Sequence, residues 1–273
     1  MMEKDFFSLK GKVIVVTGAT GILGYSFIKA LSAAGAAVAV MGRNEKVANE
    51  RVAEIITAGG KAIGLIADVQ NENALKDCCQ KVIDVFGKID GLVNAAGGNV
   101  PEAVLQPGDD IFSMDVAGMK KAMDVNLWGT VLPTLIFGKA IAENGSGSIV
   151  NISSVSVPRT LTKVLGYSMG KSAVESFNKW MAVELANRYS DKIRMNALVP
   201  GFFLTEQNRT LLTNADGSYT SRGEAVIKQT PFKRFGNPDE LGGALVWLLS
   251  DASKFVTGTT ITVDGGFTSF SGV

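Results

Sequence analysis

The chain predicts a doubly wound, Rossmann-type α/β fold, a mostly parallel sheet of about seven strands with helices on both faces. Three observations predict it. Short β-branched runs alternate with longer amphipathic stretches from Lys12 almost to the C-terminus. The runs are continuously apolar rather than alternating, as strands covered on both faces must be. A glycine-rich segment, Gly18 to Gly24, joins the first run to the first amphipathic stretch, which is where such folds bind phosphates.

The elements follow in order. Lys12–Thr17 (KVIVVT) is the first strand, Ile22–Ala34 has helical spacing, and Ala36–Met41 is the second strand. Asn44–Ala58 reads as a helix capped by Asn44. Ala62–Ala67 is a strand and Asn71–Phe86 a helix; Gly91–Ala95 is a strand followed by a long helix over Val116–Ala142. Ser148–Ile152 and Ile193–Leu198 are strands flanking a helix over Val164–Tyr189. A helix over Asp239–Leu249 and a strand over Thr259–Val263 complete the pattern. Strands alternating with helices imply parallel pairing and right-handed crossovers. No linker or repeat divides residues 1–273, so one domain is expected, with residues 202–235 as an insert covering the substrate. A segment that long between core elements is usually functional or disordered.

Composition excludes several functions. A net charge of +1 offers no field for nucleic acid or an anionic membrane. Met1–Lys12 lacks the apolar core of a signal peptide. No apolar run reaches the roughly 18 residues of a membrane span. Cys78 and Cys79 are adjacent, and the chain has no histidine. A disulfide framework and a zinc site are therefore not expected. Reduced thiols fit a cytoplasmic location.

The lack of histidine sharpens the search for a proton carrier. Tyr167 and Lys171 stand four apart in a predicted helix, on one face and about 6 Å apart along the axis. A nearby ammonium favours a phenolate, so the pair can act as a general acid/base. Ser154 lies thirteen residues before Tyr167. Either Ser153 or Ser154 could face the site, since neighbours on a strand end point oppositely.

The turn Thr17-Gly18-Ala19-Thr20-Gly21-Ile22-Leu23-Gly24 follows a strand and opens a helix, the context a dinucleotide-binding turn requires. Gly18, Gly21 and Gly24 allow a tight turn and close approach to a pyrophosphate. Thr20 and Ile22 sit where the helix N-terminus presents free amides. After the second strand, Gly42-Arg43-Asn44 stands where an acid would select NAD. Arg43 can meet a 2′-phosphate, or it can be a solvent-facing side chain before the helix. The reading favours NADP(H), with NAD(H) possible.

As a set, these residues resemble the classical short-chain dehydrogenase/reductases. The glycine-rich turn, Asp68-Val69, Asn94-Ala95-Ala96-Gly97, Asn126, Asn151-Ile152-Ser153-Ser154, Tyr167/Lys171 and Pro200-Gly201 stand in the family's order. The resemblance implies that Tyr167 exchanges the proton and Ser154 bonds the reacting oxygen. It implies that Lys171 binds the nicotinamide ribose and lowers the tyrosine pKa, and that Asn126 holds a relay water. Asp68 and Val69 would flank the adenine. Asn94, Ala95 and Gly97 would line the cofactor, and Thr205, after Pro200 and Gly201, would meet its carboxamide. Other readings stand beside these. Asp68 could cap a helix, Asn94 could stitch strands together, and Asn126 could be a satisfied polar group within its helix. The family is commonly tetrameric, so a homotetramer is expected.

A narrower resemblance joins Gly97–Ala103, Pro200–Arg209 and the tail Val263–Val273 to sugar-acid members described as D-mannonate oxidoreductases or fructuronate reductases. It implies interconversion of a keto sugar acid and its alcohol. Gluconate 5-dehydrogenase and 3-oxoacyl reductase are the neighbouring activities, and a non-catalytic dinucleotide-binding regulator is the remote one. A hexuronate needs a cation and several polar groups. Asn99, Arg159, Lys163 and Arg209 are the candidates, with Thr160, Thr162, Glu206, Gln207 and Asn208 nearby; alternatively these charges are a solvated rim. Arg222 reads as a surface residue.

Overall fold

The computed structural model describes residues 5–205 and 208–272; Glu206 and Gln207 lie outside them. Seven parallel strands form one sheet in the order β3-β2-β1-β4-β5-β6-β7. They are β1 Val13–Thr17, β2 Ala37–Gly42, β3 Lys61–Ile66, β4 Gly91–Asn94, β5 Gly147–Ile152, β6 Ile193–Pro200 and β7 Thr260–Val263. The order reverses between β1 and β4, and ligands of open α/β sheets bind in the crevice that such a reversal leaves at the strand carboxyl ends.

Alternate residues of each strand feed two cores. Ile14, Val16, Val38, Val40 and Val150 pack with α1 (Ile22–Ala33), α2 (Glu45–Thr57) and α9 (Gly242–Leu249) on one face. Val13, Val15, Ala39, Met41 and Ile149 pack with α3 (Glu72–Phe86), α5 (Gly129–Glu143) and α6 (Leu165–Arg188) on the other. This two-residue alternation is the pleat itself. Asn44 caps α2 by accepting from the Val47 amide, as expected. Asn71, not Asp68, caps α3; Asp68 accepts from the Gln70 amide beside it.

The expected long helix is α4 (Val116–Met123), a π-helical turn over Asp124–Trp128, and α5 in continuous succession. At 28 residues it is long and apolar enough, by length and composition, to cross a membrane, contrary to the sequence expectation. Its apolar side is spent inside the protein, however, with Phe137 and Ile141 fully buried against the sheet. Cys78 and Cys79 are free and buried in α3, and burial pushes the Cys79 thiol up to about 11.

Residues 202–235 are ordered where described. α7 (Arg209–Leu212) and α8 (Ser221–Gln229) close over their own small core of Leu212, Val226 and Phe235, with Phe202, Leu204 and Ile227 packed on it. Phe202 also meets Phe267 edge to face at 5.1 Å, which fastens the insert to the C-terminal tail.

Candidate active site

The first turn leaves β1 with Gly18 at φ +64 and enters α1 at Gly21, which supplies no side-chain cap. A Cβ on Gly18 would stand 2.7 Å from the Ala95 backbone, and one on Gly24 would stand 2.2 Å from the Gly18 carbonyl. Both positions therefore demand glycine. A Cβ on Gly21 would meet only one atom within 4 Å, the Gly18 oxygen at 3.4 Å, so the surface above the helix is open. Uncapped first-turn amides under an open surface are an anion site, and this fits the pyrophosphate of a dinucleotide.

The neighbouring loops complete the cradle. Thr17, fully buried, accepts from the Ala95 and Ala96 amides at 3.1 Å each. Thr20 packs against Gly42, where a Cβ would lie 2.5 Å from it. Arg43 is 81 % exposed and reaches to 3.8 Å from the Asp68 carboxylate. Val69 packs on Gly129 of α5. Asn94 donates to Asn151 at 2.9 Å and to Thr134 at 2.8 Å, and Asn151 donates in turn to Asn178 at 3.1 Å. This buried asparagine chain binds β4 to β5 and α6, so the stitching reading describes what Asn94 does here.

Beside this cradle lies a cleft of about 170 Å³, lined among others by Gly97, Ser154, Tyr167, Lys171, Thr205 and Asn208. Pro200 and Gly201 also line it. Gly166 and Gly170 make it possible. A Cβ at Gly166 would lie 2.9 Å from Met119 Cα, and one at Gly170 would lie 3.1 Å from Asn126 Cβ. These two small residues let α6 cross close to α4 and the π-turn, with Tyr167 and Lys171 at that crossing.

The choice between the serines is resolved by their partners. Ser153 donates to Glu175 at 2.6 Å and faces α6. Ser154 stands beside the Tyr167 hydroxyl, where it favours the phenolate, and accepts from the Ser156 amide. Lys171 is buried, donates to the Ile152 carbonyl at 2.8 Å, and stands 5.8 Å from the Tyr167 ring centre. Burial pulls its ammonium down to about 8. The phenol departs from expectation. Burial pushes Tyr167 above its ordinary value, and Ser154 only partly opposes this. Lys171 donates to a carbonyl rather than to the phenol, and the phenol's own burial is the largest influence on its ionisation.

Asn126 is held on both sides by backbone groups. Its Nδ2 donates to the Gly98 and Ala122 carbonyls, at 2.8 and 2.7 Å, and its Oδ1 accepts from the Gly98 amide at 3.0 Å. Both donors are used on backbone, so the side chain clamps the Gly97–Gly98 loop, while Oδ1 keeps a second lone pair.

Asn99, Arg159, Lys163 and Arg209 do not line the cleft. Arg159 donates to the Phe270 carbonyl, holding the tail. Arg209 is exposed on α7. Lys163 is half-buried in left-handed backbone, φ +77, and its carbonyl accepts from the Leu105 amide at 2.9 Å. Arg222 is not merely a surface residue: it bonds Thr162 at 3.3 Å and ties α8 to the loop before Tyr167. Sequence reasoning did not single out Asn208 as a wall of the cleft. It accepts from the Thr205 amide at 2.8 Å and donates to the Phe203 carbonyl at 2.8 Å. It also passed over Arg51, whose guanidinium from α2 reaches the glycine-rich turn.

A family model described as enoyl-(acyl carrier protein) reductase matches residues 18–268. An uncharacterized oxidoreductase, UxuB, of Bacillus subtilis is 40 % identical over 275 residues, covering 97 % of this chain and 98 % of that protein. The chain is a short-chain dehydrogenase/reductase. Among solved structures, a Haemophilus influenza protein described as a D-mannonate oxidoreductase, with bound NAD, is 35 % identical at a TM-score of 0.89, covering 97 % of this chain and 98 % of that one. A gluconate 5-dehydrogenase from Burkholderia cenocepacia, in complex with NADP and tartrate, is 32 % identical at a TM-score of 0.85, with the same coverage of both chains. As a member of this family the chain is an NAD(P)-dependent oxidoreductase.

Proposed function

We propose that this short-chain dehydrogenase/reductase interconverts a keto sugar acid and its alcohol, with D-fructuronate and D-mannonate as the pair, and prefers NADP(H). The small polar cleft carries the reading. At about 170 Å³ it falls below the roughly 300–1,000 Å³ of a pocket for a drug-sized apolar ligand. Ser154, Tyr167, Thr205 and Asn208 line it beside Leu23, Ile152 and Phe203, and these polar groups can meet the hydroxyls of a sugar acid. The sugar-acid relatives support the same class. The bound dinucleotide supplies or accepts the hydride.

The chain's own residues do the rest. Ser154 donates to the reacting oxygen and fixes its place beside the Tyr167 hydroxyl. In reduction Tyr167 gives its proton to that oxygen, and in oxidation it takes the proton back. A phenol held high by burial favours the proton-donating form at neutral pH. Lys171 stands ready beside Tyr167 to bind a ribose hydroxyl. Asn126 acts on the reaction by positioning Gly97 and Gly98 above Lys171, and is a positioning residue. Asp68 and Val69 flank the adenine, and Arg43 extends toward a 2′-phosphate. Lys163, half-buried in left-handed backbone on the loop before Tyr167, lies outside the cleft lining and reaches the substrate carboxylate only by turning its side chain inward. The assembly is a homotetramer in the cytoplasm.

The deciding experiment is a substrate panel of fructuronate, tagaturonate, 5-ketogluconate and an acetoacetyl thioester, run with NADPH and NADH in parallel. Fructuronate with NADPH should give the highest kcat/KM. Preference for the thioester would replace the sugar-acid reading with a 3-oxoacyl reductase.

A further inference from the structure

We infer that Arg51 is a positioning residue for the dinucleotide, aiming the glycine-rich turn from behind. Arg51 lies two turns into α2 and sends its guanidinium back across the α1/α2 junction. One nitrogen, Nη1, donates to the carbonyls of both Ala19 and Gly21, the latter at 3.0 Å. These are two of the peptide groups that form the phosphate-binding turn.

The consequence follows from peptide geometry. In a planar trans peptide the C=O and the next residue's N–H point in opposite directions. Holding the Ala19 carbonyl toward α2 therefore aims the Thr20 amide away from α2. Holding the Gly21 carbonyl likewise aims the Ile22 amide. These two amides lie at the uncapped N-terminus of α1, under the open surface above Gly21. A cation on the two carbonyls also polarises the amides and strengthens them as donors to an anion.

The guanidinium is itself held. It lies 4.8 Å from the centre of the Tyr25 ring, and the Tyr25 hydroxyl donates to Glu54 at 2.5 Å. Glu54 is on α2, less than one turn beyond Arg51, and Tyr25 is on α1. Arg51, Tyr25 and Glu54 thus form a closed brace between the helix that begins at the phosphate turn and the helix that begins at Arg43 and Asn44. A solvent-facing arginine would have no cause to leave water for two carbonyls and a ring face. Burial makes this costly and pulls the Arg51 pKa down.

The brace acts on the turn, which NAD and NADP share, whereas Arg43 acts on the 2′-phosphate that only NADP carries. Full-length Arg51→Met, Arg51→Lys and Tyr25→Phe should be titrated with NADH, NADPH, ADP-ribose and AMP, following protein tryptophan and nicotinamide fluorescence. In Arg51→Met the Kd should rise about tenfold for NADH and NADPH alike, and ADP-ribose should weaken in step. AMP, which lacks the pyrophosphate, should bind as to the parent. The cofactor KM should rise while kcat at saturation stays within twofold. Arg51→Lys should recover part of the loss, because one ammonium can still reach a carbonyl, and Tyr25→Phe should show a smaller loss of the same pattern. Should Arg51→Met fold poorly, the last two variants carry the test. Unchanged dinucleotide affinity would overturn the inference, as would AMP weakening as much as ADP-ribose. A loss confined to NADPH would make Arg51 a reader of the 2′-phosphate instead.

Discussion

Replacing Lys171 by Met should change the stability of this protein in opposite directions at neutral and alkaline pH. Two terms of different origin meet at that ammonium. The first is desolvation. Burial lowers the pKa from 10.5 to about 8, and at about 1.4 kcal/mol per unit this is a destabilisation of roughly 3 kcal/mol in the protonated form. The second is the bond from Nζ to the Ile152 carbonyl at 2.8 Å. Leaving that carbonyl unpaired costs about 1–3 kcal/mol. At pH 7 the variant sheds the first term and loses the second, so it should match or slightly exceed the parent. The parent's lysine deprotonates in the folded state first, because its folded pKa lies below its unfolded one. Between pH 8 and 10.5 the unfolded chain therefore holds more protons, and the parent's stability rises with pH. By pH 9.5 the gain is about 2 kcal/mol. The variant has no such gain, so by pH 9.5 the parent should match it or be the more stable by up to about 2 kcal/mol.

Urea unfolding of both proteins at pH 7, 8, 9 and 9.5 measures this directly, since the difference between them cancels the other titrating groups. The two midpoint curves should run parallel up to about pH 8, with the variant level with or above the parent, and the parent should then climb to meet or pass it. Parallel curves over the whole range would refute the reasoning. They would mean that Lys171 stays charged in the fold, and that its burial is compensated by partners the geometry does not provide. The variant should also lose turnover at every pH, for Met offers a ribose hydroxyl nothing.

Further outcomes are expected elsewhere in the site. Tyr167→Phe should keep its fold and dinucleotide affinity while kcat falls about 10²–10⁴-fold; near-parental kcat would remove Tyr167 as the proton carrier. Arg43→Ala should narrow the NADPH-over-NADH preference, measured as a ratio of Kd values, and an unchanged ratio would leave Arg43 as the partner of Asp68 alone. Lys163→Asn, chosen because asparagine tolerates left-handed backbone, should raise KM for a uronate about tenfold more than for a neutral ketose; equal effects would take the carboxylate away from Lys163. Arg159→Ala should leave that ratio unchanged and instead expose the C-terminal tail to limited proteolysis, and a tail as resistant as the parent's would show that the Phe270 bond holds nothing.

What the sequence made legible was the part set by neighbours along the chain. The β1 turn could be read because Gly18 and Gly24 are demanded by atoms of the turn and of one adjoining loop. The pairing of Tyr167 with Lys171 followed from a helical repeat. Spacing to Tyr167 favoured Ser154 over Ser153, and Glu175, on another element, takes Ser153. The failures share a cause, which is that a polar side chain's role is fixed by what else competes for it in space. Arg159 looked available for a carboxylate until the tail carbonyl of Phe270 claimed it. Asn126 gave no sign in the sequence that Gly98 engages its amide from both sides. Lys171 looked aimed at Tyr167, yet its ammonium donates to the Ile152 carbonyl, and it is the phenol's own burial that pushes its pKa up. Arg51 escaped notice for the converse reason, since its partners lie some thirty residues upstream. In this fold the catalytic side chains announce themselves by spacing, but the side chains that aim them are found only by following where each hydrogen bond goes.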